Sequence, residues 1–427
     1  MNSLTDYRRR IVDDELDELL KDLSAIAIEG PKGVGKTRTA LQRAKTVHRL
    51  DDPAEFAVAQ ADPARLLEGE SPVLVDEWQR LPEVWDLVRR AVDDGAPPGS
   101  YLLTGSAVPD PPPTHSGAGR IVTVRMRPLA LSERLESSSV SLSELLAGAR
   151  PQLTGATKVV LADYVEEILA SGLPGLHRLS GRARRVQLEG YVDRIVDRDI
   201  PDDAGVVIRN QAALRRWMTA YAAASSTTAS FETVRDAASA GEAVKPSKST
   251  TQSYRDALTR VWVLDEVPAW IPSNNRLREL GQAPKHQLAD PALAAQLLGV
   301  HASTLLAGGS SGPAIARDGT LLGALFESLA TLSVRVYAAR NEAKLGHLRT
   351  ARGRQEVDLV VERADGSVVA IEVKLARSVS SDDGKHLSWL RERLGDRVLD
   401  QVIITTGPQA YRRGDGVAVV PLALLGP

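Results

Sequence analysis

A chain of 427 residues is long enough for roughly two to four domains, each with its own hydrophobic core. An apolar share of 43%, a charged share of 25% and a net charge of −2 exclude a uniformly basic nucleic-acid binder, so any nucleic-acid site must be local. The absence of cysteine excludes disulfides and thiolate metal sites. With a charged amino terminus and no apolar run of spanning length, it points to a cytoplasmic protein without a membrane partner.

Leu16, Leu19, Leu20 and Leu23 recur at helical spacing and predict an amphipathic helix. Ser24–Glu29 reads as a short buried strand running into a glycine-rich turn, with a helix expected from about Gly35 to Val47. Strand-like runs follow at Glu55–Val58, Pro72–Asp76, Ser100–Thr104 and Ile121–Val124. A helix carrying Val84, Leu87, Val88 and Ala91 separates the middle two. Such alternation implies βαβ units and a parallel sheet covered on both faces. Pro109–Ser116, rich in proline, reads as a mobile surface loop. From about Leu131 to Arg260 the pattern is helical. The segment Ser247–Trp262, followed by the strand-like VWVLDEV, has the order expected of a winged helix. The carboxy-terminal part reads helix (Thr320–Val334), strands (Val357–Val361, Val368–Val373), helix (His386–Leu394) and strand (Gln401–Thr405).

The segment Gly30-Pro31-Lys32-Gly33-Val34-Gly35-Lys36-Thr37 fits G-x-x-x-x-G-K-[ST] between a strand and a helix. Its glycines let backbone N–H groups curl around phosphate oxygens at a helix amino terminus, and Arg38 extends the candidate nucleotide contacts. Lys36 should reach the β- and γ-phosphates of ATP, and the Thr37 hydroxyl should ligate magnesium. A second signal is Val73-Leu74-Val75-Asp76-Glu77, an apolar strand ending in two carboxylates. Asp76 would hold magnesium and Glu77 would polarise the attacking water. Thr104 or Ser106, at the end of a third strand, would hydrogen-bond the γ-phosphate or the attacking water as a sensor does. Arg120 and Arg127 are candidates for charge stabilisation, in cis or from a neighbouring subunit of a homo-oligomer.

These motifs resemble a family of bacterial and archaeal AAA-like ATPases. The matching stretches are GPKGVGKT, VLVDEWQRLPE, YLLTGSA, GRIVTVRMRPLALSE, DYVEEILASGLPGL, RDI at Arg198–Ile200, LDEVPAW, LLGALFESLA, EVDLVV and AIEVKLA. The resemblance implies an α/β chain with an AAA-like P-loop parallel-sheet core over residues 1–135 and a helical region over 136–225. A winged helix would follow over 226–275, then an α/β domain resembling restriction endonucleases over 276–427. Lys32 stands where that family often has arginine.

The last domain also carries a constellation of its own. Asp358 is followed fourteen residues later by Glu372-Val373-Lys374, the D…E-x-K pattern of the PD-(D/E)xK nucleases. Glu372 and Lys374 are two apart and share a strand face. Two close carboxylates repel unless a cation lies between them. A second divalent cation on Asp358 and Glu372 would bind a scissile phosphate and activate water, with Lys374 stabilising developing charge. The nuclease resemblance adds Glu327 as a further ligand. Arg335, Arg340, Lys344, Arg349, Arg352 and Arg354 would give a basic face for DNA or RNA, and Lys245, Lys248, Arg255 and Arg260 a second one. The reading is an ATPase coupled to a nucleic-acid-binding or nuclease-like half. The alternative is a nucleotide-switched regulatory protein whose inactive nuclease-like domain docks a protein partner.

Overall fold

The computed structural model describes residues 7–109, 116–203, 206, 208–242, 245–272, 283–309, 312–315, 319–350 and 353–427, so the proline-rich stretch Pro109–Ser116 falls largely outside the described residues. Strands β1 (Ala25–Glu29), β2 (Thr46–Arg49), β3 (Val73–Asp76), β4 (Tyr101–Gly105) and β5 (Val122–Arg125) form one sheet in the order β2-β3-β4-β1-β5. Every neighbouring pair is parallel. Side chains alternate across a strand, so Ile26, Ile28, Leu74 and Leu102 enter one core while Ala25, Ala27, Val75 and Leu103 enter the other. Burial on both faces is why these strands read as nearly continuous apolar runs. Because all five run the same way, the carboxyl ends of β1, β3 and β4 share one edge.

Helix α1 (Ile11–Leu19) precedes β1, and α2 (Lys36–Leu41), α3 (Pro53–Ala61) and α4 (Glu83–Asp93) connect the strands. Two expectations fail here. The helix after the glycine loop ends at Leu41, and Thr46–Val47, expected within it, open strand β2. The expected strand Glu55–Val58 is instead the middle of α3. Asp52 caps it by accepting from the Ala54 and Glu55 N–H groups, and Pro53 occupies the first helical position, where its missing donor costs nothing.

In the middle region α5 (Gln211–Ala223), α6 (Phe231–Ala238) and α7 (Lys248–Arg260) are each capped by a side-chain oxygen, from Asn210, Ser230 and Ser247. Beyond α7 the chain pairs antiparallel with a later segment, Leu264 opposite Leu288 and Val267 opposite Lys285. Helix α8 (Leu321–Arg340) then leads into β6 (Lys344–Arg349), β7 (Glu356–Glu362), β8 (Val368–Val373), α9 (Lys385–Leu394), β9 (Val398–Thr405), β10 (Tyr411–Arg412) and β11 (Ala418–Pro421). The second sheet has the order β10-β11-β9-β8-β7-β6. Its β6-β7-β8 meander is antiparallel, and β8, β9 and β11 are parallel. β6 and β11 were not foreseen. Nor was α8 expected to be long and apolar enough to cross a membrane by length and composition, yet 83% of its apolar window is buried within the protein. Tyr164, Phe326 and Tyr337 pack in the same core as Ile26 and Ile28, so one hydrophobic core runs from the first sheet to the second.

Candidate functional site

The glycine loop joins β1 to α2 at the carboxyl edge of the first sheet. Gly33 (φ +76°) and Gly35 (φ +108°) take left-handed conformations that a side chain would strain. A Cβ on Gly30 would lie 2.1 Å from the Met126 carbonyl oxygen. Pro31 and Val34 are buried, whereas Arg38 is exposed one turn into the helix. The Lys36 ammonium donates to the Gly30 and Pro31 carbonyls at 2.9 and 3.0 Å. Lys32 points away from the loop and pairs with Asp199 of the helical region at 2.7 Å. Arg10, which no sequence signal marked, donates to the Val34 carbonyl at 3.1 Å and pairs with Glu133 at 2.8 Å.

Asp76 is the hub. Strand register sets it beside Thr104 on β4. Thr37 Oγ1 donates to Asp76 Oδ1 at 2.7 Å, and Thr104 Oγ1 donates to the same oxygen. Burial raises the Asp76 pKa against those two hydrogen bonds. A hydroxyl and a carboxylate oxygen this close are a donor set that fits magnesium, a hard cation that prefers oxygen. Glu77 follows in a left-handed conformation (φ +58°), uncommon for a residue with a side chain. Its carboxylate accepts from Ser106 Oγ at 2.8 Å and from Gln79 Nε2. Gln79 had no place in the motif and is a missed partner. Glu29, the last residue of β1, is buried; desolvation lifts its pKa to about 7, with Lys36 and Arg125 opposing the rise.

Arg120 is a correction. It precedes β5, at the amino edge of a parallel sheet and so opposite the glycine loop, and it pairs with Asp93 at 2.7 Å. In cis it has no line to the phosphates, so any charge-stabilising role would act on a neighbouring subunit. Arg127 is committed elsewhere as well. Arg125, Arg127 and Arg335 converge on one buried carboxylate, Asp265, at 3.1 Å and 2.9 Å for the first two. Burial opposes ionisation of Asp265, but the three guanidinium groups hold it well below the usual carboxylate range. Arg125 also lies over the Trp262 ring, 4.6 Å from its centroid.

At the second sheet, Leu359 pairs with Ile371, which sets Asp358 beside Glu372. Asp358, Glu372, Lys374 and Glu327 all line one cavity of about 870 Å³. Lys374 Nζ lies 3.2 Å from Glu372 Oε2, as their shared strand face requires. Asp358 Oδ2 accepts from the Val373 N–H at 2.9 Å. The unforeseen member is Lys285. Its ammonium lies 2.8 Å from Glu327, 3.0 Å from Asp358 and 3.4 Å from Glu356. Burial and the Asp358 charge push the Glu372 pKa well up, and burial lifts Glu327 to about 8. Burial would raise Asp358 too, but Lys285 and the Val373 N–H hold it low.

The expected basic faces are largely neutralised. Arg335 is buried on Asp265, Arg340 pairs with Glu18 at 3.7 Å, and Arg349 pairs with Glu356 at 3.3 Å. Arg352 lies outside the described residues. On α7 and before it, Lys248 faces Glu232 at 3.5 Å, Lys245 pairs with Asp236, and Arg255 pairs with Glu266 at 3.0 Å. The sequence run of like charge missed these acids because they come from other elements.

Residues 23–135 match the family model described as an AAA domain. This stretch, with its parallel sheet and glycine loop, is similar to AAA-type P-loop domains. Two further matches, each described as a domain of unknown function, cover residues 161–304 (DUF8612) and 322–425 (DUF4143). The chain is 25% identical to uncharacterized proteins Mb2031c of Mycobacterium bovis and Rv2008c of Mycobacterium tuberculosis, over 97% of its own length and 83% of theirs. Among solved structures, the Walker-type ATPase PABY2304 of Pyrococcus abyssi aligns with a TM-score of 0.38 at 15% identity, covering 69% of this chain and 99% of that one. The ORC2 protein of Aeropyrum pernix, in ADPNP and ADP complexes, aligns with 0.30 at 15%, covering 71% and 96%. Scores of that size leave the fold to rest on the parallel sheet and the glycine loop themselves.

Proposed function

We propose that this protein hydrolyses ATP at the Gly30–Thr37 loop with magnesium and passes its nucleotide state to the carboxy-terminal half. The hydrogen-bonded set Thr37–Asp76–Thr104 beside Glu77 carries the reading. Loop N–H groups and Lys36 would hold the β- and γ-phosphates. Thr37 and Asp76 would hold the magnesium ion, which supplies charge neutralisation between the phosphates. Glu77, fixed by Ser106 and Gln79, would orient and polarise the attacking water, and Thr104 would report the γ-phosphate.

Two contacts support transmission beyond the P-loop domain, and a third braces the loop within it. Lys32 ties the loop to Asp199, Arg10 ties it to Glu133, and Asp265 ties the end of β5 to α8 through Arg335. Loading and loss of the γ-phosphate would reorder the loop and load these contacts differently. The experiment is phosphate release together with binding of a fluorescent ATP analogue. Lys36→Ala should abolish turnover, and Glu77→Gln should slow it about 100-fold or more with binding retained. Wild-type turnover in both variants would remove the site.

The convergence of Asp358, Glu372 and Lys374 on one cavity supports a nuclease-like fold for the carboxy-terminal domain, and the capped helices α6 and α7 with the paired segments after them support a winged helix. Cleavage of DNA or RNA is a second reading. It would need a divalent cation between Asp358 and Glu372. The alternative, a nuclease-derived domain that docks a partner, needs none.

A further inference from the structure

Two of the three carboxylates that the nuclease reading assigns to a divalent cation, Asp358 and Glu327, already face a cation of the protein's own. Lys285 belongs to the segment paired with the chain after α7, where its N–H donates to the Val267 carbonyl at 2.9 Å and its own carbonyl accepts from the Val267 N–H at 2.9 Å. Both ends of the residue are therefore fixed: the backbone in the middle region, the ammonium under the second sheet. The residue is 1% exposed.

An ammonium has three donors and no acceptor. Here three carboxylates, Glu327 on α8 and Glu356 and Asp358 on β7, lie within 3.4 Å of it. The other Asp358 oxygen is taken by the Val373 N–H. A magnesium ion held by Asp358 and Glu327 would need oxygens at about 2.0–2.1 Å and several waters. It would stand against the fixed like charge of Lys285, which already lies 2.8 Å from Glu327 and 3.0 Å from Asp358. The donor set therefore does not fit the divalent cation. Glu372 adds one engaged oxygen, Oε2, which faces Lys374 at 3.2 Å, while its Oε1 is buried without a hydrogen-bond partner. A structural metal site and an internal ion cluster solve the same problem, the mutual repulsion of buried carboxylates, and this chain has the second solution.

We infer that Lys285 replaces the divalent cation in the carboxy-terminal domain, making the cluster a buried latch that fastens the segment at Val267–Lys285 to α8 and β7. The domain then works as a metal-independent binding or docking module. The inference is separate from the ATP-hydrolysis reading and favours docking over cleavage in the carboxy-terminal half.

The test is manganese binding to the full-length, nucleotide-free protein, followed by electron paramagnetic resonance of free Mn2+. Wild type and Asp358→Asn should bind equally, with no site attributable to the cluster. Lys285→Ala should gain a Mn2+ site at least 10-fold tighter than any wild-type binding, and Lys285→Ala/Asp358→Asn should lose it again. A wild-type Mn2+ site that disappears in Asp358→Asn would overturn the inference. So would a Lys285→Ala protein that folds and gains no site. Where Lys285→Ala fails to fold, Glu327→Gln against wild type decides: unchanged Mn2+ binding supports the latch, and a lost site overturns it. ATP turnover measured on the same samples separates this outcome from failure of the nucleotide site.

Discussion

Asp76 and Glu77 are neighbours in sequence with different surroundings. Asp76 ends a strand and is buried under two hydroxyl donors, whereas Glu77 is turned by its left-handed backbone toward Ser106 and Gln79. On the proposed ATPase reading, that division would separate the roles of cation ligand and water-orienting base. Glu29, one residue before the loop, adds a pH dependence. Its folded pKa of about 7 lies above the ordinary glutamate value, so the folded state binds the proton more tightly than the unfolded chain. Its contribution is fully present below the unfolded pKa, declines as pH rises, and is gone above about 7. The difference corresponds to roughly 3 kcal/mol. Glu29→Gln should flatten the fall in Tm between pH 5 and 7.5 in the nucleotide-free protein. Calorimetry across that range checks it, and a curve parallel to wild type would count against Glu29 as the titrating group.

At the scale of elements, the parallel sheet does two things. It gathers the loop after β1, Asp76 of β3 and Thr104 of β4 on one edge, and it sends Arg120 to the other. The Asp265 cluster shows how the elements are joined. Three arginines from β5, the chain just after it and α8 share one acid that is 7% exposed. Removing the acid leaves buried guanidinium groups without a counter-charge, so Asp265→Ala should cost about 3–5 kcal/mol in unfolding free energy. Arg125→Ala should cost less, because two arginines would still neutralise the carboxylate. Denaturant unfolding measures both, and equal losses would show that the cluster does not act as a unit. The failed strand at Glu55–Val58 belongs to this scale too. Apolar runs of four residues suit strand or helix alike, and the Asp52-Pro53 start decides for helix.

For the whole molecule, charge is distributed more evenly than its runs along the chain imply. The basic residues near α8 and α7 meet acids from distant segments, among them Glu18, Glu232, Glu266 and Asp265. Association with nucleic acid should therefore be weak and shallow in its salt dependence. Fluorescence anisotropy of a labelled duplex at 50 and 200 mM salt tests this. A fall in affinity of about 1,000-fold or more between them would mean that many phosphates are engaged. It would also favour the nucleic-acid reading over docking to a protein.

The candidate nucleotide site could be proposed from sequence because its chemistry is local. G-x-x-x-x-G-K-T and an apolar strand ending in Asp-Glu carry loop conformation, ligand type and polarity within a few residues each. Helix α9 and strands β7 and β8 were legible for the same reason, through period and length. Lys285, Asp265 and Arg10 were not. A lone lysine or arginine in sequence gives no sign of burial, because burial depends on which distant carboxylates the fold brings to it. Glu327 and Asp358 are 42 and 73 positions from Lys285. The sequence by itself determined strands β1, β3, β4, β7 and β8, the glycine loop and the acids that could bear charge. Only the tertiary structure decided which of those acids sit beside the glycine loop and which face an ammonium, since electrostatic energy follows distance in space.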